Sequence, residues 1–145
     1  LFTARKRALM RDLLYMLDTN ICIYITKNRP ESVMKHFQSM AHGQIVMSFI
    51  TYGELVFGAQ KSQYKQQVLA KLERLRQIIP VVHSTDSLSE SYGKIRAELE
   101  QAGKTIGGND YWIAAHALSS GYVLVSNNVR EFERVDGLLV ENWVE

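Results

Sequence analysis

Four short runs in this chain are apolar almost throughout, and helix-length segments separate them. They cover residues 13–17 (LLYML), 45–48 (IVMS), 78–82 (IIPVV) and 122–125 (YVLV). A strand with one wet face alternates apolar and polar side chains. A strand without that alternation must be covered on both faces. Strands that alternate with helices pair in parallel, because a parallel neighbour is reached only through a long crossover. The pattern predicts an α/β fold, a three-layer α/β/α domain around a four- to five-stranded parallel sheet. The fifth strand is expected around 139–143.

Helices are expected over 21–27, 32–41, about 51–60, 65–77, 87–101, 109 or 110 to 120, and 130–134. The triplet Asp18-Thr19-Asn20 suits a helix cap, and Pro30 halts the first helix. Segment 65–77 places Val68, Leu72 and Leu75 on one side and Lys71 and Arg74 on another. Ser87-x-x-Glu90 reads as a capping box, and Pro80 puts its strand near a sheet edge. Gly103 to Gly108 form a glycine-rich loop without the pattern or the preceding strand of a phosphate-binding loop.

At 145 residues the chain suits one domain with a real core. Hydrophobic residues make up 46% of it and there are only two prolines, which excludes a disordered or collagen-like chain. One cysteine excludes a disulfide scaffold and suits a reducing, cytoplasmic setting. No apolar run reaches the ~18–20 residues of a membrane span. Residues 1–9 are basic, lack a signal-peptide core, and read as a leader or cloning remnant, with Met10 as a plausible start and 10–145 as the domain. Of seventeen Lys and Arg, three lie in that segment, so fourteen face fifteen acids elsewhere and the body is near neutral. A claim of nucleic-acid binding must therefore rest on a local site rather than on bulk charge.

In open α/β sheets, ligands gather at the carboxyl ends of the strands. Asp18 follows the first strand, Glu54 lies a helical turn beyond the second, and Asp110 opens the helix leading into the fourth. Ser126-Asn127-Asn128 closes that fourth strand. Each has an ordinary reading: a cap for Asp18, a Thr51-x-x-Glu54 capping box, a dipole partner for Asp110, turn residues for the asparagines. Separate capping roles do not require a common edge, whereas a shared cation does. Clustered carboxylates repel, and a hard divalent ion such as Mg²⁺ relieves that repulsion while binding substrate phosphate and activating water.

Other residues give less. His116 lies about 240° around its helix from Asp110 and reads as a surface or packing residue; His36, His42 and His83 lack metal-type spacing. Cys22 reads as a buried thiol. Lys61, Lys65, Lys71, Arg74 and Arg76 read as a solvated helix face, while Arg130 and Arg134, beyond the fourth strand, are better placed to contact RNA phosphates. Tyr52, Phe57, Tyr111 and Trp112 read as core or subunit-interface residues rather than base-stacking platforms.

The segments LDTN (17–20), SFITYGELVFGA (48–59), IGGNDYWIAAHAL (106–118) and VLVSNNVREFERVDGL (123–138), in that order, resemble VapC-type PIN-domain ribonucleases, the toxins of bacterial VapBC pairs. The resemblance implies a Mg²⁺- or Mn²⁺-dependent endoribonuclease with Asp18, Glu54 and Asp110 on the metal-site positions. Asn128 falls where many members carry a fourth acid, and Ser126 where a hydroxyl supports the site. Asn20, in the LDTN motif, is a further supporting residue, and Glu98 is either an outer acid of the site or a helix-surface acid. The resemblance also implies cleavage of structured RNA, with the anticodon loop of initiator tRNA as target. It implies a homodimer, a VapB-type antitoxin that blocks the acidic groove, and operator DNA contacted only through the antitoxin. Asn at 128 keeps an oxygen ligand but loses a charge, so a catalytically weak module that binds antitoxin or RNA is the alternative. A phospho-acceptor domain of the receiver type fits poorly, because paired acids after the first strand and a Lys after the last are both missing.

Overall fold

The computed structural model describes residues 13–41 and 43–145; the expected leader, Met10 and His42 lie outside them. The apolar runs form strands β1 (Tyr15–Leu17), β2 (Ile45–Ser48), β3 (Val81–Val82) and β4 (Val123–Val125), and β5 (Val140–Glu141) follows. They make one parallel sheet in the order β3-β2-β1-β4-β5, with Tyr15 facing both Ile45 and Val123. The order runs outward in both directions from β1, which puts the topological switch between β1 and β4.

Among the described residues, seven helices connect the strands: α1 (Thr19–Thr26), α2 (Glu31–Ser39), α3 (Phe49–Gln60), α4 (Lys65–Ile78), α5 (Leu88–Gln101), α6 (Gly108–Ser120) and α7 (Val129–Phe132). Successive strand residues point to opposite faces. Leu17, Ile45, Met47 and Val125 accordingly pack with Ile21, Val33, Leu55, Leu72 and Leu75 of α1 to α4. Met16, Val46 and Leu124 pack with Ile95, Leu99, Ile113 and Phe132 of α5 to α7. Met16, Leu17, Leu124 and Val125 are fully enclosed, each side chain stabilising the fold by about 1.5–3 kcal/mol. The three expected layers follow from this two-sided burial.

Several boundaries differ from expectation. Residues 78 and 79 extend α4 and its cap instead of opening β3, because Leu72, Leu75 and Ile79 continue a helical period onto the core. Ile78 consequently points outward, 55% exposed. β3 keeps only two residues, at the sheet edge that Pro80 predicted. Helix α3 starts at Phe49, two residues early, since the Ser48 hydroxyl accepts from the Ile50 N–H and caps it. The Thr51-x-x-Glu54 capping box is therefore not formed. Ser87 precedes α5 without a side-chain capping bond, so that capping box is absent too. Gly121, at φ 73°, ends α6 in the left-handed conformation that glycine adopts without steric cost.

Candidate active site

Asp18 leaves the carboxyl end of β1 at the switch point. Its N–H donates to the Val125 carbonyl at 2.9 Å, which ties the end of β1 to β4. Its carboxylate caps α1 by accepting from the Ile21 N–H at 3.0 Å. The Ser126 hydroxyl and the Asn20 N–H also donate to it. The capping and site readings of Asp18 are thus compatible: the bonds that start α1 also fix the acid. On α3, Glu54 projects across to α1, where Thr19 Oγ1 donates to its Oε1 at 2.7 Å. Asp110 stands in the first turn of α6, packed against Gly107; a Cβ there would lie 3.3 Å from Asp110 Oδ2. Asn128 follows β4, its N–H donating to Ser126 Oγ at 2.9 Å.

These side chains share one pocket of about 140 Å³, lined by Asp18, Thr19, Asn20, Glu54, Asp110, Ile113, Asn128 and Phe132. The two apolar members wall it, and none of the described residues lining it is basic. The electrostatic consequence is plain. Burial, then repulsion from Glu131, Asp18 and Glu54, raises Asp110 to about 6. Asp18, only 6% exposed, is also raised by burial and by Glu54, against the three hydrogen bonds that favour its ionised form. Among the described residues, no three His, Cys, Asp or Glu side chains are grouped closely enough to hold an ion between them. A hard cation needs only one or two carboxylates and completes its shell with water and phosphate, so this site does not require three converging acids. The donor set, all oxygen and rich in negative charge, fits a hard divalent cation and not a soft one.

Glu131 was not singled out by the sequence reading. Three residues beyond Asn128, it accepts from Asn128 Nδ2 at 2.9 Å and acts more strongly on Asp110 than any other charge. The signal was the i, i+3 spacing across the turn of α7, which turns Glu131 back toward the pocket. Other expected members lie elsewhere. Glu98 is exposed on α5 and does not line the pocket. Arg134 Nη1 donates to the Thr105 carbonyl at 2.8 Å and braces the loop before α6, while Arg130 is exposed on α7. Cys22 is buried, its thiol pushed far up by desolvation. Tyr111 is buried and Trp112 stacks on Tyr92, but Phe57 is 65% exposed and so is no core residue.

A parallel sheet whose switch point gathers one buried and two half-buried carboxylates, with no basic side chain lining their pocket, defines a class: an acid-centred α/β domain. The profile of the PIN domain matches residues 15–138. Ribonuclease VapC2 of Haemophilus influenzae is 47% identical over 132 residues, covering 91% of this chain and 99% of that protein. The tRNA(fMet)-specific endonuclease VapC of Shigella flexneri is 44% identical, covering 90% of this chain and 98% of its own. In the solved structure of VapBC-1 from nontypeable Haemophilus influenzae, a chain 41% identical superposes with a TM-score of 0.85 over 92% of this chain and 100% of that one. The chain belongs to the VapC-type PIN-domain ribonucleases.

Proposed function

We propose that this protein is the toxin of a toxin–antitoxin pair and hydrolyses RNA phosphodiester bonds with Mg²⁺, or Mn²⁺, at the acidic pocket. The observation that carries the reading is the meeting of Asp18, Glu54 and Asp110 in one cavity at the switch point. Asp18 and Asp110 would hold the cation, with Glu54 kept in place by Thr19. Because Asn128 gives its Nδ2 to Glu131, its carboxamide oxygen is left to act as a ligand. Glu131 supplies the negative charge that Asn128 lacks. Bound there, the ion would neutralise the scissile phosphate and lower the proton affinity of an attacking water. Ser126 and the Asn20 N–H hold the Asp18 carboxylate still, and Ile113 and Phe132 limit water around it. Arg130, exposed on α7, would contact a flanking phosphate.

The substrate we assign is tRNA, by likeness to the relative named for tRNA(fMet), and we assign the anticodon loop as the place of the cut. The likeness to a VapBC complex supports an antitoxin partner, and we assign to that partner a basic side chain that closes the acidic pocket. We further assign a homodimer, with operator DNA reached through the antitoxin. Action is assigned to the cytoplasm; no helix among the described residues is long and apolar enough to cross a membrane.

Antitoxin-free protein should cut initiator tRNA with Mg²⁺ and stop with excess EDTA. Asp18→Ala should slow cleavage at least about 100-fold, the scale on which removal of a positioned electrostatic group acts. Cleavage by Asp18→Ala at the wild-type rate would refute the mechanism.

A further inference from the structure

A second groove, of about 460 Å³, opens beside the acidic pocket and shares Thr19 and Glu54 with it. Its other lining residues are Ile50, Gly53, Phe57, Gly58, Lys61 and Asn109. Phe57 is 65% exposed on α3, one helical turn beyond Glu54. Lys61 Nζ stands 4.8 Å from the centre of its ring. Gly53 and Gly58 flank the ring, and a Cβ at either would meet nothing within 4 Å, so the groove floor is open rather than filled. Asn109, from the first turn of α6, brings an amide that can both donate and accept, next to Asp110.

An exposed aromatic ring, a cation over it, an amide and an open floor are what a flat, π-faced ligand next to a phosphate requires. Continuity with the acidic pocket fixes which ligand this is. A chain whose scissile phosphate lies at Glu54 must pass its neighbouring nucleotide over α3. We propose that this groove is a nucleobase subsite: Phe57 stacks the base next to the scissile phosphate, Lys61 pairs with that nucleotide's phosphate, and Asn109 reads the base edge. The inference rests on the nuclease reading and adds the residue that selects where the RNA is cut. The acidic pocket repels a polyanion, and Lys61 supplies an opposing charge in the adjoining groove.

The test uses an anticodon stem-loop RNA carrying 2-aminopurine at each loop position in turn, with Asp110→Asn protein so that the RNA stays intact. Stacking quenches this fluorophore. One loop position should be quenched by Asp110→Asn protein, unquenched when Phe57→Ala is added, and quenched again with Phe57→Trp. In the otherwise wild-type enzyme, Phe57→Ala should raise KM for the stem-loop about tenfold, the scale of one lost base–aromatic stack. It should change kcat little, since Phe57 touches no reacting atom. Quenching that ignores Phe57, or none at any position, overturns the subsite. So does a change in sedimenting mass on Phe57→Ala, which would make the ring a subunit contact. Failure of the nuclease reading is distinguishable: wild-type protein would then leave the unlabelled stem-loop uncut with Mg²⁺, whatever the fluorophore reports.

Discussion

At the scale of single residues, Asp110 states the problem the pocket poses. An ordinary aspartate is ionised well below neutrality, yet burial and three neighbouring acids lift this one to about 6. The folded protein therefore holds a proton that the unfolded chain has already released. Between about pH 4 and 6 the native state binds more protons, so this group's contribution to stability falls as pH rises and is fully lost above about 6. Asn at 110 keeps the size and stays neutral. Asp110→Asn should therefore raise the metal-free melting temperature at pH 7.5 by about 3 °C, on the order of 1 kcal/mol once solvent screening is allowed for. At pH 4 the two proteins should melt nearly together. Thermal melts in EDTA at both pH values check this; an equal gap at both would mean that Asp110 acts through packing instead of charge. The sequence located this acid but not Glu131, its strongest neighbour, because a carboxylate in a four-residue helix reads like any surface acid until the turn's direction is known.

At the scale of elements, a buried histidine fixes where α3 begins, and with it Glu54. His116 is fully enclosed on α6. Its Nε2 lies 2.9 Å from the His83 carbonyl, which can only accept, so Nε2 carries the proton. Nδ1 then accepts from Ser48 Oγ at 2.8 Å, and the same Ser48 oxygen accepts from the Ile50 N–H that opens α3. The relay as drawn needs neutral His116: a proton on Nδ1 would end the donation from Ser48 and place a charge in the core. Desolvation holds its pKa below the ordinary histidine value. The unfolded chain thus takes up a proton near pH 6.5 that the folded protein refuses, and stability is lost as pH falls through that value. Urea denaturation should show wild type losing stability from pH 7.5 to 5.5 relative to His116→Gln. The variant should be about 2 kcal/mol less stable at pH 7.5, since a buried hydrogen-bond partner is left unmet. A pH dependence unchanged by the substitution would remove His116 as its source. Helical spacing placed this side chain correctly, turned from Asp110, but could not say what it met. Its partners come from β2 and the segment after β3, and long-range contacts of that kind leave no mark in local periodicity.

At the scale of the whole molecule, strand order does what no local motif can. Uniformly apolar runs separated by helices were enough to give the layers, and strand ends were enough to nominate Asp18, Glu54 and Asp110. The order β3-β2-β1-β4-β5 then decides that the ends of β1 and β4 are neighbours, and that order is set by packing rather than by any segment alone. Exposure was equally hidden: Phe57 reads as core or subunit interface from the sequence, and only the packing of α3 shows that it turns outward. The same topology concentrates negative charge in a nearly neutral body, so the fold carries an electrostatic cost that a cation removes. Anything that binds only the folded state stabilises it, by about 2.7 kcal/mol at a hundred times its dissociation constant. Mg²⁺ should therefore raise the melting temperature by about 5 °C beyond NaCl of equal ionic strength. The increment should shrink with Glu54→Gln and vanish with Asp18→Ala, whatever either substitution does to the metal-free protein. Equal increments in wild type and Asp18→Ala would place the ion elsewhere, and the acids at the switch point would lose their common purpose.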